Sequence, residues 1–236
     1  PVDGKARLYR RLQWGALADL HLLDTRQYRS DQACGTKGAW GGQLLTYCRE
    51  LFDPRRTMLG AAQEKWLAQG LAKTKAPWTL IAQPQMMAPL TQRKKGRPAV
   101  WSDGWDGYPQ ARRRLLRQLA RKNVRNPLVL SGDIHSFWAN ELHLPERGGP
   151  IVANEFVGSS ISSPGVPYEL FDKYAKANKH VRFFDSRYRG YVRCTIGPER
   201  CVTDFRAMNE VVTDLGDAST LVSFIVEDGR KRMVEN

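Results

Sequence analysis

Leu128-Val129-Leu130-Ser131-Gly132-Asp133-Ile134-His135 is an aliphatic run that breaks into a polar turn. A short apolar run bounded by turn residues reads as a buried strand. Asn126-Pro127, just upstream, interrupts the preceding helical pattern. In an open α/β sheet, ligands bind beyond the carboxyl ends of the strands, and Asp133 and His135 fall there. Two residues apart in extended backbone, they point to one side. A carboxylate oxygen beside an imidazole nitrogen suits a metal ion, and Gly132 lets the chain turn tightly next to it. The competing reading is a polar turn in which Asp133 holds local backbone N–H groups.

Working outward, Trp78-Thr79-Leu80-Ile81-Ala82 is a second apolar run ending in Gln83, and Leu17 to Asp24, bounded by Gly15, is a third. Leu8 to Trp14 reads as a strand or strand entry, and Ile151 to Val157 as a further strand. Between them, Leu59, Ala62, Trp66 and Gly70 share one face of a helix predicted over about Thr57 to Lys73. Pro109 suits the first position of another helix, with Leu115, Leu116 and Leu119 as its apolar stripe. Residues 30 to 56 read as a long surface loop and residues 89 to 107 as irregular. After Gly190, Tyr191 to Ile196 and Cys201 to Arg206 alternate around Gly197-Pro198, which predicts a hairpin. Leu221 to Val226 is a last strand. Strands alternating with helices, then antiparallel strands, predict an α/β sandwich with a mixed sheet, as one domain over 1–236.

The composition fits a packed globular core: of 236 residues, 42% are hydrophobic and 26% charged. No run approaches the ~20 apolar residues that cross a bilayer. The opening Pro1-Val2-Asp3-Gly4-Lys5 lacks the basic-then-apolar pattern of a secretory leader. A net charge of +13 gathers anions. It permits a phosphorylated substrate, and equally a non-catalytic polyanion-binding role. Its densest spots are Arg93-Lys94-Lys95-Gly96-Arg97, Arg112-Arg113-Arg114 and Arg230-Lys231-Arg232.

Other residues carry candidate chemistry. Trp101-Ser102-Asp103-Gly104-Trp105-Asp106 sets two carboxylates among aromatics; calcium takes such oxygens with loose geometry, whereas Asp106 as a helix cap is the plainer reading. The amide oxygen of Gln83 at a strand end is a potential hard-cation ligand, or simply a hydrogen-bonding group. Asp24, Arg26 and Arg29 form a charged knot in which an arginine fork suits a phosphate, or in which Asp24 and Arg26 pair. His21 alternates with apolar neighbours as a core histidine does. Ser159, Ser160, Ser162 and Ser163 have no nucleophile-elbow pattern around them. Cys34 and Cys48 flank the Gly-rich stretch Gly35 to Gly42; their spacing leaves a bridge and two free thiols both open.

Several of these segments in order resemble the PhoD-like alkaline phosphatases of the metallophosphoesterase group: Leu22 to Arg29, Arg56 to Gly60 with Gln63-Glu64 and Trp66-Leu67, Trp105-Asp106-Gly107-Tyr108, Ser131 to His135, and Glu155 to Gly158 with Ser162-Ser163. The likeness runs from about residue 8 to about residue 210. It implies a metallophosphatase-type four-layer αββα sandwich with two mixed sheets. It also implies hydrolysis of phosphate monoesters and diesters with calcium and ferric iron, and export to the periplasm or beyond. Gly132-Asp133-Ile134-His135 has the shape of that group's Gly-His-x-His motif, which marks Asp133 and His135 as catalytic and metal-binding, with Asp106 and Gln83 completing a calcium sphere. The family often has two successive glutamines where this chain reads Gln83-Pro84, which opens the question of which glutamine serves. The resemblance favours a Cys34–Cys48 disulfide. The family's opening motifs, a Cys-containing strand, Gly-Asp-x-x-Tyr and Asp-His-Glu, are not among the 236 residues. The expectation is therefore a half-furnished metal site and an uncovered sheet surface.

Overall fold

The computed structural model describes residues 6–35, 41–146, 148–213 and 216–236. The opening Pro1 to Lys5 and most of the Gly-rich stretch after Cys34 lie outside them. The strands are β1 (Arg10–Trp14), β2 (Ala18–Leu22), β3 (Leu44–Leu45), β4 (Trp78–Gln85), β5 (Gln92–Lys94), β6 (Arg97–Trp101), β7 (Pro127–Gly132), β8 (Phe137–His143), β9 (Ile151–Val157), β10 (Val181–Asp185), β11 (Arg189–Ile196), β12 (Arg200–Met208), β13 (Ala218–Glu227) and β14 (Val234–Glu235). The helices are α1 (Gly60–Lys73), α2 (Pro109–Leu119) and α3 (Tyr168–Ala177).

Seven strands form one sheet in the order β1-β2-β4-β7-β9-β8-β10. Its centre, β2, β4, β7 and β9, is parallel, and the flanking pairs are antiparallel. The sheet is thus mixed, as the alternation of strands and helices predicted. Buried on both faces, the central strands read as near-continuous apolar runs. One face takes α1 and α2: Leu67, Leu71, Leu115, Leu116 and Leu119 pack with Ile81 and Val129. The other takes a four-stranded antiparallel sheet, β11-β12-β13-β14. There Phe205, Phe224 and Val226 meet Leu80, Leu128 and Phe156. Each fully buried large side chain contributes about 1.5–3 kcal/mol of transfer free energy, so these two cores hold the parallel strands in fixed register.

Helix starts follow local chemistry. Pro109 opens α2. The Thr57 hydroxyl accepts the N–H groups of Leu59 and Gly60 and donates to Glu64, 2.5 Å away. Glu64 in turn accepts two bonds from Arg114 on α2, which ties the two helices together.

Three segments depart from the sequence reading. Residues 89–107 are not irregular: β5 and β6 pair as a hairpin and β3 adds to β6. The turn is Lys95-Gly96, both at positive φ, as a two-residue hairpin turn requires; lysine in the first position hid it. Residues 30–56 contain β3 and a short 3-10 turn, Arg49–Phe52. Phe137 to Asp185 supplies β8, α3 and β10, which had no sequence assignment.

His21 is a core histidine. It is buried against Trp66 and Gly70, and neither ring nitrogen has a hydrogen-bond partner among the described residues. Burial first, then the Arg11 charge, pushes its imidazole from 6.5 down to about 4, against the pull of Asp19. The native state therefore binds fewer protons than the unfolded chain between those values, so stability is complete above 6.5 and is lost as pH falls toward 4. His21 is expected to remove about 2 kcal/mol between pH 7 and pH 5. In urea titrations His21→Leu should flatten that part of the stability–pH curve; an unchanged slope refutes the assignment.

Candidate active site

The parallel strands β2, β4, β7 and β9 end on the same edge, and the polar segments following β2, β4 and β7 converge there. After β2, Asp24 makes a turn: its Oδ1 accepts the backbone N–H of Arg26 (2.8 Å) and Gln27 (3.0 Å), and its Oδ2 accepts Gln27 Nε2 (2.6 Å). Asp24 therefore does not pair with the Arg26 guanidinium. That turn releases the guanidinium toward two other carboxylates. Arg26 Nη1 lies 2.6 Å from Asp103 Oδ2, and Nη2 lies 3.1 Å from Asp133 Oδ2. Asp103 also receives Arg29 Nη2 at 2.9 Å and Gln32 Nε2 at 2.8 Å. Burial pushes the Asp103 carboxyl up, but the bonds and charges of Arg26 and Arg29 outweigh it and leave the group below the ordinary carboxylate range.

Asp133 and His135 do not continue the strand. β7 ends at Gly132, and the two residues have φ of +72° and +55°, so the extended-backbone reason for placing them together does not hold. The turn nevertheless brings both to the wall of one cavity of about 370 Å³, shared with Gln85 and Asp106. His135 Nδ1 is 3.2 Å from the Pro164 carbonyl oxygen, which suits the Nδ1–H tautomer and leaves Nε2 as an acceptor.

The remaining two predicted ligands are committed elsewhere. Gln83 Oε1 accepts Trp105 Nε1–H at 3.0 Å and the Gln85 N–H at 3.1 Å, while its Nε2 donates to Ser131 Oγ at 2.7 Å and to the Gln85 carbonyl. Gln83 therefore serves as a buried brace, and it is Gln85 that reaches the cavity. Gln85 Nε2 donates to the Asp103 carbonyl at 3.1 Å, and its buried Oε1 has no partner among the described residues. Asp106 lines the cavity, but its oxygens hold buried Arg112 (2.7 Å) and the Leu90 N–H (2.8 Å). Glu146 holds the same guanidinium at 2.9 Å. Cys34 and Cys48 are disulfide-bonded, closing the loop that carries β3.

A carboxylate at Asp133, an imidazole at His135 and an unpartnered amide oxygen at Gln85 form a donor set suited to a hard cation. Among the described residues, Asp133 and His135 belong to no close group of three His, Cys, Asp or Glu side chains, and the one such grouping, Cys34, Cys48 and Glu50, contains the disulfide. The signal for Gln85 was present in Gln83-Pro84-Gln85, because two side chains on alternate strand positions both face one side. A register shift between Ala82 and Gln85 separates their environments. A second cavity, about 390 Å³ between α1 and α2, has Glu64 and Arg114 already paired with each other and no comparable polar convergence.

Carboxylates, a guanidinium and an imidazole thus gather at the carboxyl edge of a mixed α/β sheet, the edge at which open sheets of this class bind ligands. A family model described as PhoD-like phosphatase matches residues 1–205, and the chain belongs to that family. It is 39% identical over 233 residues to Alkaline phosphatase D of Bacillus subtilis (strain 168), an alignment covering 96% of this chain and 39% of that protein. A solved structure titled "Structure of PhoD" superposes with a TM-score of 0.86 at 36% identity, covering 98% of this chain and 44% of that one. The chain thus spans about two fifths of the length of the curated relative it matches. No described helix is long and apolar enough to cross a membrane.

Proposed function

We propose that the chain is part of a metal-dependent hydrolase of phosphate monoesters and diesters acting on small molecules. The observation that carries the reading is the Arg26 fork held between Asp103 and Asp133, the latter on the wall of the cavity that His135 also lines. A guanidinium fixed by carboxylates presents planar donors to phosphoryl oxygens with little orientational cost. Arg26 would bind and orient the phosphoryl group, and Asp133 would position Arg26. Asp133, His135 and Gln85 Oε1 would hold the cation. Calcium with ferric iron, when bound, would supply charge neutralisation and Lewis acidity at phosphorus. The four-layer sandwich belongs to this proposal as the architecture of the whole domain, of which 1–236 would be a part. It is supported by the stacking of helices, seven-stranded sheet and four-stranded sheet. A periplasmic or secreted location is supported by the Cys34–Cys48 bridge, since such bonds persist in oxidising compartments.

The test is release of nitrophenolate from nitrophenyl phosphate and bis(nitrophenyl) phosphate by the full-length protein. Activity should vanish on chelation and return with calcium. Absence of hydrolysis, combined with sequence-independent nucleic-acid binding that weakens steeply with salt, would favour the polyanion-binding reading instead. Arg26→Ala should lower kcat/KM about 100-fold, and Arg26→Lys should recover only part of it because a point charge lacks the fork. Equal activity in the lysine variant and the parent would remove the bidentate role.

A further inference from the structure

The cavity lined by Asp133 and His135 also has an apolar wall, formed by Leu44, Met86, Leu90, Trp101, Val166 and Phe171. We infer that this wall is an aryl subsite, with Trp101 as the platform on which the aromatic part of a phosphate ester packs while its phosphoryl group faces Arg26 and His135. The inference rests on the phosphate-ester reading above and adds to it the class of alcohol.

Size and chemistry agree. An apolar cavity of about 150 Å³ holds a benzene ring, so about 370 Å³ accepts one ring together with a phosphoryl group. Trp105, Tyr108 and Trp138 are fully buried, but Trp101 is 43% exposed. Aromatic pairs add attraction beyond area burial. A hydroxyl-rich alcohol placed against this wall would give up water without matching partners.

The platform is also rigid, so little ordering is needed on binding. Trp101 pairs with Leu44 of β3, inside the loop closed by Cys34 and Cys48. The Ser102 N–H donates to the Gln43 carbonyl at 3.0 Å, and Ser102 Oγ accepts the Gln43 N–H at 2.9 Å. Gly42 lies directly under the indole: a Cβ there would come within 2.5 Å of Trp101 Cε2. Absence of a side chain at residue 42 is what lets the ring take this position.

The test is calorimetric titration of the full-length protein, with calcium present, using two non-hydrolysable probes, phenylphosphonate and methylphosphonate. The parent should bind the phenyl compound about 10-fold more tightly. Trp101→Ala should bring that ratio to within ~2-fold and leave methylphosphonate affinity unchanged, and Trp101→Phe should restore most of it. Gly42→Ala should act like Trp101→Ala by displacing the indole. Equal affinities in the parent, no phenylphosphonate binding, or discrimination that survives Trp101→Ala would each overturn the subsite. Discrimination that depends on Trp101 in a protein that hydrolyses no phosphate ester would keep the subsite and remove the phosphatase reading.

Discussion

Asp133→Asn is expected to cut hydrolysis of nitrophenyl phosphate by the full-length protein at least ~100-fold, with the melting temperature unchanged. Asparagine is the informative replacement because of the backbone. Asp133 has φ of +72°, a region that aspartate and asparagine tolerate and alanine does not. The side chain is 47% exposed and bonds the Arg26 guanidinium, so the fold does not depend on its charge. What the substitution removes is the negative end of the Arg26 bridge and a hard oxygen for the cation. Calcium affinity, measured by calorimetry on the same variant, should fall with the activity. If activity stays within ~3-fold of the parent, Asp133 is not part of the site. Asp133→Ala should lose the activity too, with a small added loss of stability from the strained backbone.

Much of this site could be read from the chain, for reasons that are local. Leu128-Val129-Leu130 could only be a buried strand, and its exit had to lie at the ligand edge of the sheet. Pro109 marked a helix start without any tertiary information. The site failed to be legible where partners distant in sequence decide an orientation. Asp103 and Asp106 sit in one aromatic-rich run, and nothing in that run says which one meets Arg26 and Arg29 and which one anchors Arg112. Gln83 and Gln85 are equivalent by strand alternation until the register shift with β7 sends one to Trp105 and Ser131 and the other to the cavity. Asp133 and His135 were placed together for a reason the backbone does not support, and they share a cavity because a left-handed turn, not an extended strand, carries them there. Phe137-Trp138-Ala139-Asn140-Glu141 gave no clean strand period because it is buried on both faces, polar residues included.

The buried polar residues in that layer lead to the largest stability effect. Glu155 on β9 is fully buried, and its carboxylate accepts the N–H groups of Met87 (2.5 Å) and Ala88 (2.8 Å), the Ser131 hydroxyl (2.6 Å) and Asn140 Nδ2 (3.1 Å). Burial pushes the carboxyl above its ordinary value, while these four donors pull it down. The bonds knot the segment that follows β4 onto β7 and β8, and that segment carries Met86, Ala88 and Leu90 into the cavity. Glu155→Ala leaves four buried donors without an acceptor and opens a void, at a cost of about 4 kcal/mol. For a chain of this size the melting temperature should drop by about 10 °C. Glu155→Gln keeps the volume but turns an amide N–H₂ toward donors, so it should recover only part of the loss. Thermal melts of the two variants decide the point. If Glu155→Gln matches the parent, the carboxylate is not the knot, and the position of Met86 and Leu90 must be fixed by apolar packing alone.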